Sequence, residues 1–353
     1  APTGGDVIRI PILAVLTLLA LPVRILVTLM LRLKHRSRTV LVLSLSAGRK
    51  GLEPVVYERM LAGLQDAAAD HKLAGLRVQM QGLPLGWSQL YEMRDAIAAE
   101  RDSGTFVECH LDSVTDKELL LAGACNRISV SPAGEVYLQG VASAARFFGT
   151  ALARHDVVVD FESAGAYKSF GEAYTRSGPT PQNREAMDFL LTDLHDRFCE
   201  TIARDREQPV ESVHKAMAAS PLSAAQAAER GLIDAVAYPD EDRTLWEARL
   251  GGEPREVDLM TYARLHRIAR RLPSLRSKPS VVAVVHLDGP VVERRAQMPR
   301  KRRVIASDEV VEAINGLAEQ DSVHAVVLAV NSPGGRALAS DLIARAVRAL
   351  DER

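Results

Sequence analysis

The backbone of Asn331-Ser-Pro-Gly-Gly335 is the part of this chain best placed to do chemistry. A run of β-forming residues, Val326 to Val330, leads into it. Arg336 to Leu350 follows, with spacing that predicts a helix. A strand, a glycine turn and a helix in that order present bare backbone N–H groups, which can hold an anion or a developing oxyanion. Gly-Gly after a strand is also an ordinary turn, so the motif alone assigns no reaction. Ser332 belongs to the turn and Ser340 to the next helix, and neither reads as a nucleophile. The histidines show no H-E-x-x-H or comparable ligand spacing, so neither a metal site nor a cofactor is implied. Cys109, Cys125 and Cys199 are widely spaced and form no CxxC pair; they read as buried small hydrophobes or free thiols.

Alternating elements position this turn. Thr39 to Ser46, Gly75 to Met80, Thr105 to His110 and Ile128 to Val130 are predicted strands. Pro54 to Asp70 and Gln89 to Glu100 are predicted helices between them. Strands alternating with helices indicate a parallel sheet covered on both faces. The same order restarts with a strand at Ser280 to Leu287, a helix at Ser307 to Glu319 and a strand at Val323 to Val330. The constant offset reads as duplication of a whole domain. The expected organisation is an anchor segment over 1–36, a first domain over 37–240, a charged helical linker over 241–279, and an incomplete second copy over 280–353. Ser223-Ala-Ala-Gln-Ala-Ala-Glu-Arg-Gly231 reads as a short helix marked at both ends, with a Ser223/Gln226 capping box and a C-terminal glycine.

With 353 residues, 47% apolar and 44 basic against 45 acidic residues, the chain is globular and near neutral, which argues against a nucleic-acid binder. Ile10 to Leu31 is apolar for long enough to cross a bilayer, which takes about 20 residues. Pro22 and Arg24 interrupt it and allow an interfacial helix instead. Arg32, Lys34, Arg36 and Arg38 follow, and the positive-inside rule then places the globular part on the cytoplasmic side. The basic stretch from Glu293 to Arg303 reads as a loop able to meet anionic lipid head groups.

Two segments carry a family resemblance. The phrase Ser223 to Asp234 is similar to one that recurs in the ClpP/crotonase superfamily. Gly165-Ala-Tyr-Lys-Ser-Phe-Gly-Glu172, followed by Ser177-Gly-Pro-Thr-Pro-Gln-Asn-Arg-Glu-Ala186, closely resembles the lysine-bearing segment of the S49 serine peptidases of the signal peptide peptidase A type, in their long tandem form. The resemblance implies an α/β ClpP/crotonase-like fold in tandem. It implies that Lys168 is the general base of a Ser–Lys dyad and that Gly334 and Gly335 frame the oxyanion. Peptide substrates, membrane lipid and a homo-oligomer are the implied partners, and the implied site of action lies outside the cytoplasm, against the positive-inside reading.

The resemblance also implies what this chain lacks. The family's nucleophilic serine lies one βα unit beyond the glycine turn, past Arg353, so the chain is expected to be catalytically incomplete. In the first copy, Asp116 stands where a serine would, and Leu83-Pro-Leu-Gly86 replaces the glycine turn. A non-catalytic homologue acting as a membrane scaffold or peptide-binding protein is therefore the second reading. A crotonase-type acyl-CoA enzyme shares the fold but not the Tyr-Lys-Ser segment. A lysine that acts as a base must be neutral, and shifting it from about 10.4 to near neutrality takes ~4 kcal/mol. Burial supplies such a shift, and Ala166, Tyr167, Ser169 and Phe170 suit an enclosing pocket.

Overall fold

Val40, Leu41, Val42 and Leu43 form an unbroken apolar run in which every residue is buried, as a strand covered on both faces requires. The computed structural model describes residues 38–46, 52–271, 281–295 and 303–352, in two units that divide at residue 271. The apolar run is the heart of β1 (Thr39–Ser46). Along the chain follow α1 (Pro54–Ala68), β2 (Gly75–Gln81), α2 (Trp87–Asp102), β3 (Phe106–Leu111), α3 (Asp116–Ala122) and β4 (Arg127–Val130). The rest of this unit holds α4 (Glu172–Thr175), α5 (Pro181–Asp205), α6 (Val210–Ala218), α7 (Ala224–Glu229), β5 (Ala235–Val236), α8 (Pro239–Leu250), β6 (Arg255–Asp258) and α9 (Leu259–Arg271).

The six strands form one sheet in the order β5-β4-β3-β2-β1-β6, and every neighbouring pair is parallel. The register sets Leu41 beside Leu76 and Val78 beside Cys109. Helix α1 starts with Pro54 in its first turn, where the missing N–H costs nothing. It buries Tyr57, Met60, Leu61, Leu64 and Ala67 at helical spacing. Leu90, Met93 and Ile97 do the same on α2. The α/β architecture with a parallel sheet is the one expected of a ClpP/crotonase-like domain. The Ser223/Gln226 capping box is present, and Gly231 takes φ +70°, a left-handed turn that glycine adopts without strain.

Residues 241–271 of the segment expected as a linker are instead part of the first unit. Strand β6 pairs with β1 and extends the sheet. Trp246 on α8 is fully buried and donates its indole N–H to Glu108 on β3. Gly75 makes room for it, since a Cβ there would lie 2.2 Å from the Trp246 ring. On α9, Leu259, Tyr262 and Ala263 are buried, and Gly63 of α1 lets that helix approach, a Cβ at Gly63 lying 2.9 Å from Ala263. The charged surface of 241–271 hid a narrow apolar stripe, and that stripe decides where the helices pack.

In the second unit, β7 (Val281–Asp288) pairs in parallel with β8 (Val323–Asn331), and α10 (Ser307–Ala318) and α11 (Ala337–Asp351) complete it. Val310, Ile314 and Ala346 pack with Leu287 and Ile305. Val282, Val284 and Val327 stay exposed on one face of this pair, and Val330 on the other. The apolar segment 10–31, the start of the charged connector's last stretch at 272, and residues 296–302 of the basic loop lie outside the described residues. Among the described residues, no helix is long and apolar enough to cross a membrane.

Glu100 supplies a test of this packing. Its side chain is fully buried on α2. Burial, reinforced by the charge of Asp70, pushes its carboxyl from 4.5 to about 7, and neither carboxylate oxygen has a hydrogen-bond partner among the described residues. The folded state therefore holds this proton more tightly than the unfolded chain does. The stabilisation is complete below 4.5 and is lost as pH rises through about 7. Wild-type stability should fall by about 3 kcal/mol over that window from this group. Denaturant titrations across the same range should show a flatter profile for Glu100→Gln; an unchanged slope would contradict the burial of this carboxyl.

Candidate functional site

The Tyr-Lys-Ser segment is a turn clamped to the start of α5. Gly165 adopts φ +93°, and its carbonyl accepts the Lys168 N–H at 3.3 Å. Tyr167 donates its hydroxyl to Glu185 Oε2 on α5 at 3.0 Å. Four residues beyond Lys168, the Glu172 carboxylate accepts the Thr180 N–H at 2.9 Å, the Thr180 hydroxyl at 2.6 Å and the Asn183 side-chain amide at 2.9 Å. These bonds, the Thr180 hydroxyl first, hold Glu172 below the usual carboxylate range. Thr180 in turn caps α5 by accepting the Asn183 N–H. Gly171 lies so close to Phe161 that a Cβ would sit 2.2 Å from its ring. The backbone around Lys168 is thus fixed on both sides.

The expected enclosing pocket is not closed within this unit. Lys168 is exposed, as are Tyr167 at 60% and Phe170 at 72%. Phe170 packs against Phe161 and Tyr174 at ring distances of 6.0 Å. Val158, Phe189 and Leu190 are exposed on neighbouring segments. The apolar neighbours that the sequence places around the lysine are present, but they form an open surface. A short turn has too few residues to enclose an amine, and the enclosure expected of Lys168 is absent among the described residues of this unit.

The glycine turn belongs to the second unit. Gly334 takes φ +102°. Gly335 approaches the backbone of Val291 so closely that a Cβ would lie 2.1 Å from its carbonyl oxygen. Val291 donates its N–H to Gly334 O at 2.9 Å and accepts the Arg336 N–H at 3.0 Å. Asn331 donates its side-chain amide to Asp288 at 3.0 Å, and Arg336 pairs with Glu293 at 2.6 Å. The Gly334 N–H points at Ser332 Oγ, 3.1 Å away. Ser332 acts here as an acceptor inside the turn, and the turn is exposed.

Asp116 opens α3, and its carboxylate accepts the N–H groups of Gln139 and Gly140, each at 3.1 Å. Burial raises its pKa, against those two bonds. Two convergent backbone donors are thus filled by the chain's own carboxylate. Thr115 donates its hydroxyl to Glu118 as part of a capping box, which leaves it committed to the helix start. Burial pushes the Cys199 thiol up to about 11, so it is no nucleophile near neutral pH.

Sequence reasoning missed a network at the carboxyl ends of β3 and β4. His110 Nδ1 lies 2.7 Å from Asp242 on α8, and its Nε2 lies 3.2 Å from Ser131 Oγ. Asp242 also accepts from Ser129 at 2.5 Å and from Arg127. Serine, histidine and aspartate are neighbours here, but the Ser131 hydroxyl donates to Asp112 Oδ1 at 3.0 Å, and among the described residues no oxyanion partner for Ser131 is found. Its own N–H is bound to Leu111 O, and the residue after it is Pro132, which has no N–H. The network anchors α8 to the sheet. Burial works against ionisation of Asp242, but the bonds from His110, Ser129 and Arg127 outweigh it and hold the carboxyl at about 2. Only the fold brings these residues together, across more than a hundred positions, so no local spacing announced them.

Residues 110–249 match the model of Peptidase family S49, a span that contains Lys168. The chain is 25% identical over 287 residues to "Serine protease SPPA, chloroplastic" of Arabidopsis thaliana, covering 81% of this chain and 42% of that protein. It is 26% identical over 293 residues to "Protease 4" of Haemophilus influenzae, covering 79% and 46%. The chain therefore spans less than half the length of these curated relatives. A crystal structure of an enoyl-CoA hydratase/carnithine racemase from Magnetospirillum magneticum overlays 67% of this chain and 78% of its own, at TM-score 0.36 and 14% identity.

Asp242 gives this region its measurable handle. Asp242→Ala leaves Arg127 and His110 without their shared acceptor and should cost about 3–5 kcal/mol in unfolding free energy. Because the folded pKa lies below the ordinary one, the wild-type contribution is present above 3.8 and is lost as pH falls through about 2. Unfolding curves of the two proteins should converge in acid. A variant as stable as wild type at neutral pH would contradict the anchoring role.

Proposed function

Taking the S49 match across residues 110–249 as its premise, we propose that this chain supplies the base and the oxyanion turn of a membrane-associated serine endopeptidase. The observation that carries the reading is the clamped turn at Lys168. Its backbone is fixed by Tyr167–Glu185 and Glu172–Thr180, while its side chain is exposed beside the exposed rings of Tyr167 and Phe170. Rigid backbone beside an open apolar surface suits a group positioned for a partner. The cover comes from a second copy or from the remainder of the whole protein, and it makes the neutral amine accessible by excluding water. A homo-oligomer is the assembly this favours.

The chemistry then follows the order of proton movements. A serine supplied outside the described residues attacks the peptide carbonyl while Lys168 accepts its proton. The Gly334 and Gly335 N–H groups hold the oxyanion, Ser332 Oγ giving way to it. Lys168 returns the proton to the leaving amine, and water then releases the acyl group. The apolar surroundings, with Phe170 and Phe189 exposed, favour hydrophobic peptides such as cleaved signal peptides. The apolar segment 10–31 would hold the enzyme at the membrane where such peptides arise. Asp116, whose carboxylate fills the paired N–H groups of the first copy, supports the rival reading, a peptide-binding homologue without catalysis.

Substitution at Lys168 separates the two. In the whole protein, Lys168→Met and Lys168→Arg should each lower kcat/KM for an apolar peptide by about 10²–10⁴-fold. Arginine keeps the charge but cannot give up its proton. Unfolding of the dissociated chain should be unchanged, because the side chain is exposed there. Retained activity in Lys168→Arg would remove the lysine from the mechanism, and a wild-type protein that binds the peptide without cleaving it would establish the rival.

A further inference from the structure

Helices α5 and α6 bring three donor side chains together on the first unit. His195 and Cys199 stand one turn apart on α5, and His214 projects from α6. One ligand atom from each of the three lies within 4.8 Å of the others. His195 Nε2 is 3.7 Å from Cys199 Sγ. The imidazoles of His195 and His214 are stacked, with ring centres 5.8 Å apart and planes 12° from parallel. The Met217 sulfur, three residues beyond His214, is 3.7 Å from Cys199 Sγ.

We propose that His195, Cys199 and His214 bind a borderline-to-soft transition-metal ion, zinc(II) or copper(I). Tetrahedral metal bonds of about 2.0–2.3 Å separate neighbouring nitrogen and sulfur donors by roughly 3.3–3.8 Å. The His195–Cys199 pair already has that spacing, and small side-chain rotations bring in His214. Imidazole and thiolate ligands together select zinc or copper over magnesium and calcium, which take oxygen. The burial gradient suits entry of an ion: Cys199 is buried, His195 half-buried and His214 exposed. Zinc would complete its shell with water on the exposed side, whereas copper(I) would recruit the Met217 thioether.

The position gives the ion something to control. The same α5 that bears His195 and Cys199 begins at the clamp that fixes the Lys168 turn. Gly140, whose N–H is held by Asp116, lies against both helices: a Cβ there would be 3.1 Å from the Met217 methyl and 3.5 Å from His195 Nδ1. An ion would therefore tie α5, α6 and the Gly140 segment at one point. The inference stands on these donors alone and does not need the peptidase reading.

Cobalt(II) is the probe. Added to the chelator-treated protein, it should give the visible bands of a tetrahedral site and a near-ultraviolet sulfur-to-cobalt charge-transfer band, both erased by zinc. Cys199→Ser should abolish the charge-transfer band. His214→Ala should weaken zinc binding by about tenfold or more, since even groups behind the direct ligands change affinity by about 10–100-fold. X-ray absorption of the loaded wild type guards against variants that fail to fold. Zinc should show one sulfur at about 2.3 Å among nitrogen and oxygen neighbours, and copper(I) two sulfurs. A sulfur-free shell in the wild type, or a charge-transfer band that survives in Cys199→Ser, would overturn the proposal.

Discussion

Two hydrogen-bond clamps, Tyr167 to Glu185 and Glu172 to Thr180 with Asn183, fix one short turn against the start of a 25-residue helix. Everything argued about activity depends on them, because they settle where the Lys168 backbone sits before any partner arrives. A turn held from both sides loses little further freedom when it is covered, so cover can be spent on excluding water from the amine. The aromatic residues around it cannot do this alone. Phe170 and Tyr167 remain exposed, and an exposed ammonium is well solvated.

The parallel sheet provides the frame to which the clamps are referred. Its central strands were legible because a strand covered on both faces has to be apolar throughout, as Val40 to Leu43 are. The helices α1 and α2 were legible from their apolar spacing, and the capping box at Ser223 from its residue types. The segment 241–271 was not. Its charges outnumber its apolar residues, yet Trp246, Leu259 and Tyr262 point inward, and three buried side chains outweigh a solvated surface. Composition averages over a helix, whereas packing depends on one stripe of it.

The candidate functional segments of each unit were legible to the extent that they are local. The Tyr-Lys-Ser turn and the Pro-Gly-Gly turn are contiguous in sequence, and both have the left-handed glycines their turns need, at Gly165 and Gly334. The His110–Asp242 network and the His195–Cys199–His214 cluster were hidden because tertiary packing assembles them. A search for fixed metal-binding spacings passes over a pair on α5 whose third member comes from α6. Asp116 lies between these cases. The sequence shows a carboxylate where a serine is absent, and only the structure shows that it engages two backbone N–H groups.

The central claim is that the surface around Lys168 is covered in the working assembly, and hydroxyl-radical footprinting of Tyr167, Phe170 and Phe189 tests it most directly. Oxidation of these rings, read by mass spectrometry, would be compared between the whole assembled protein and its dissociated chains. Strong protection on assembly, with the exposed Tyr238 just before α8 still reactive, is the expected result. Equal oxidation of all these rings in both states would mean that nothing covers the lysine, and the peptidase account of this chain would fail.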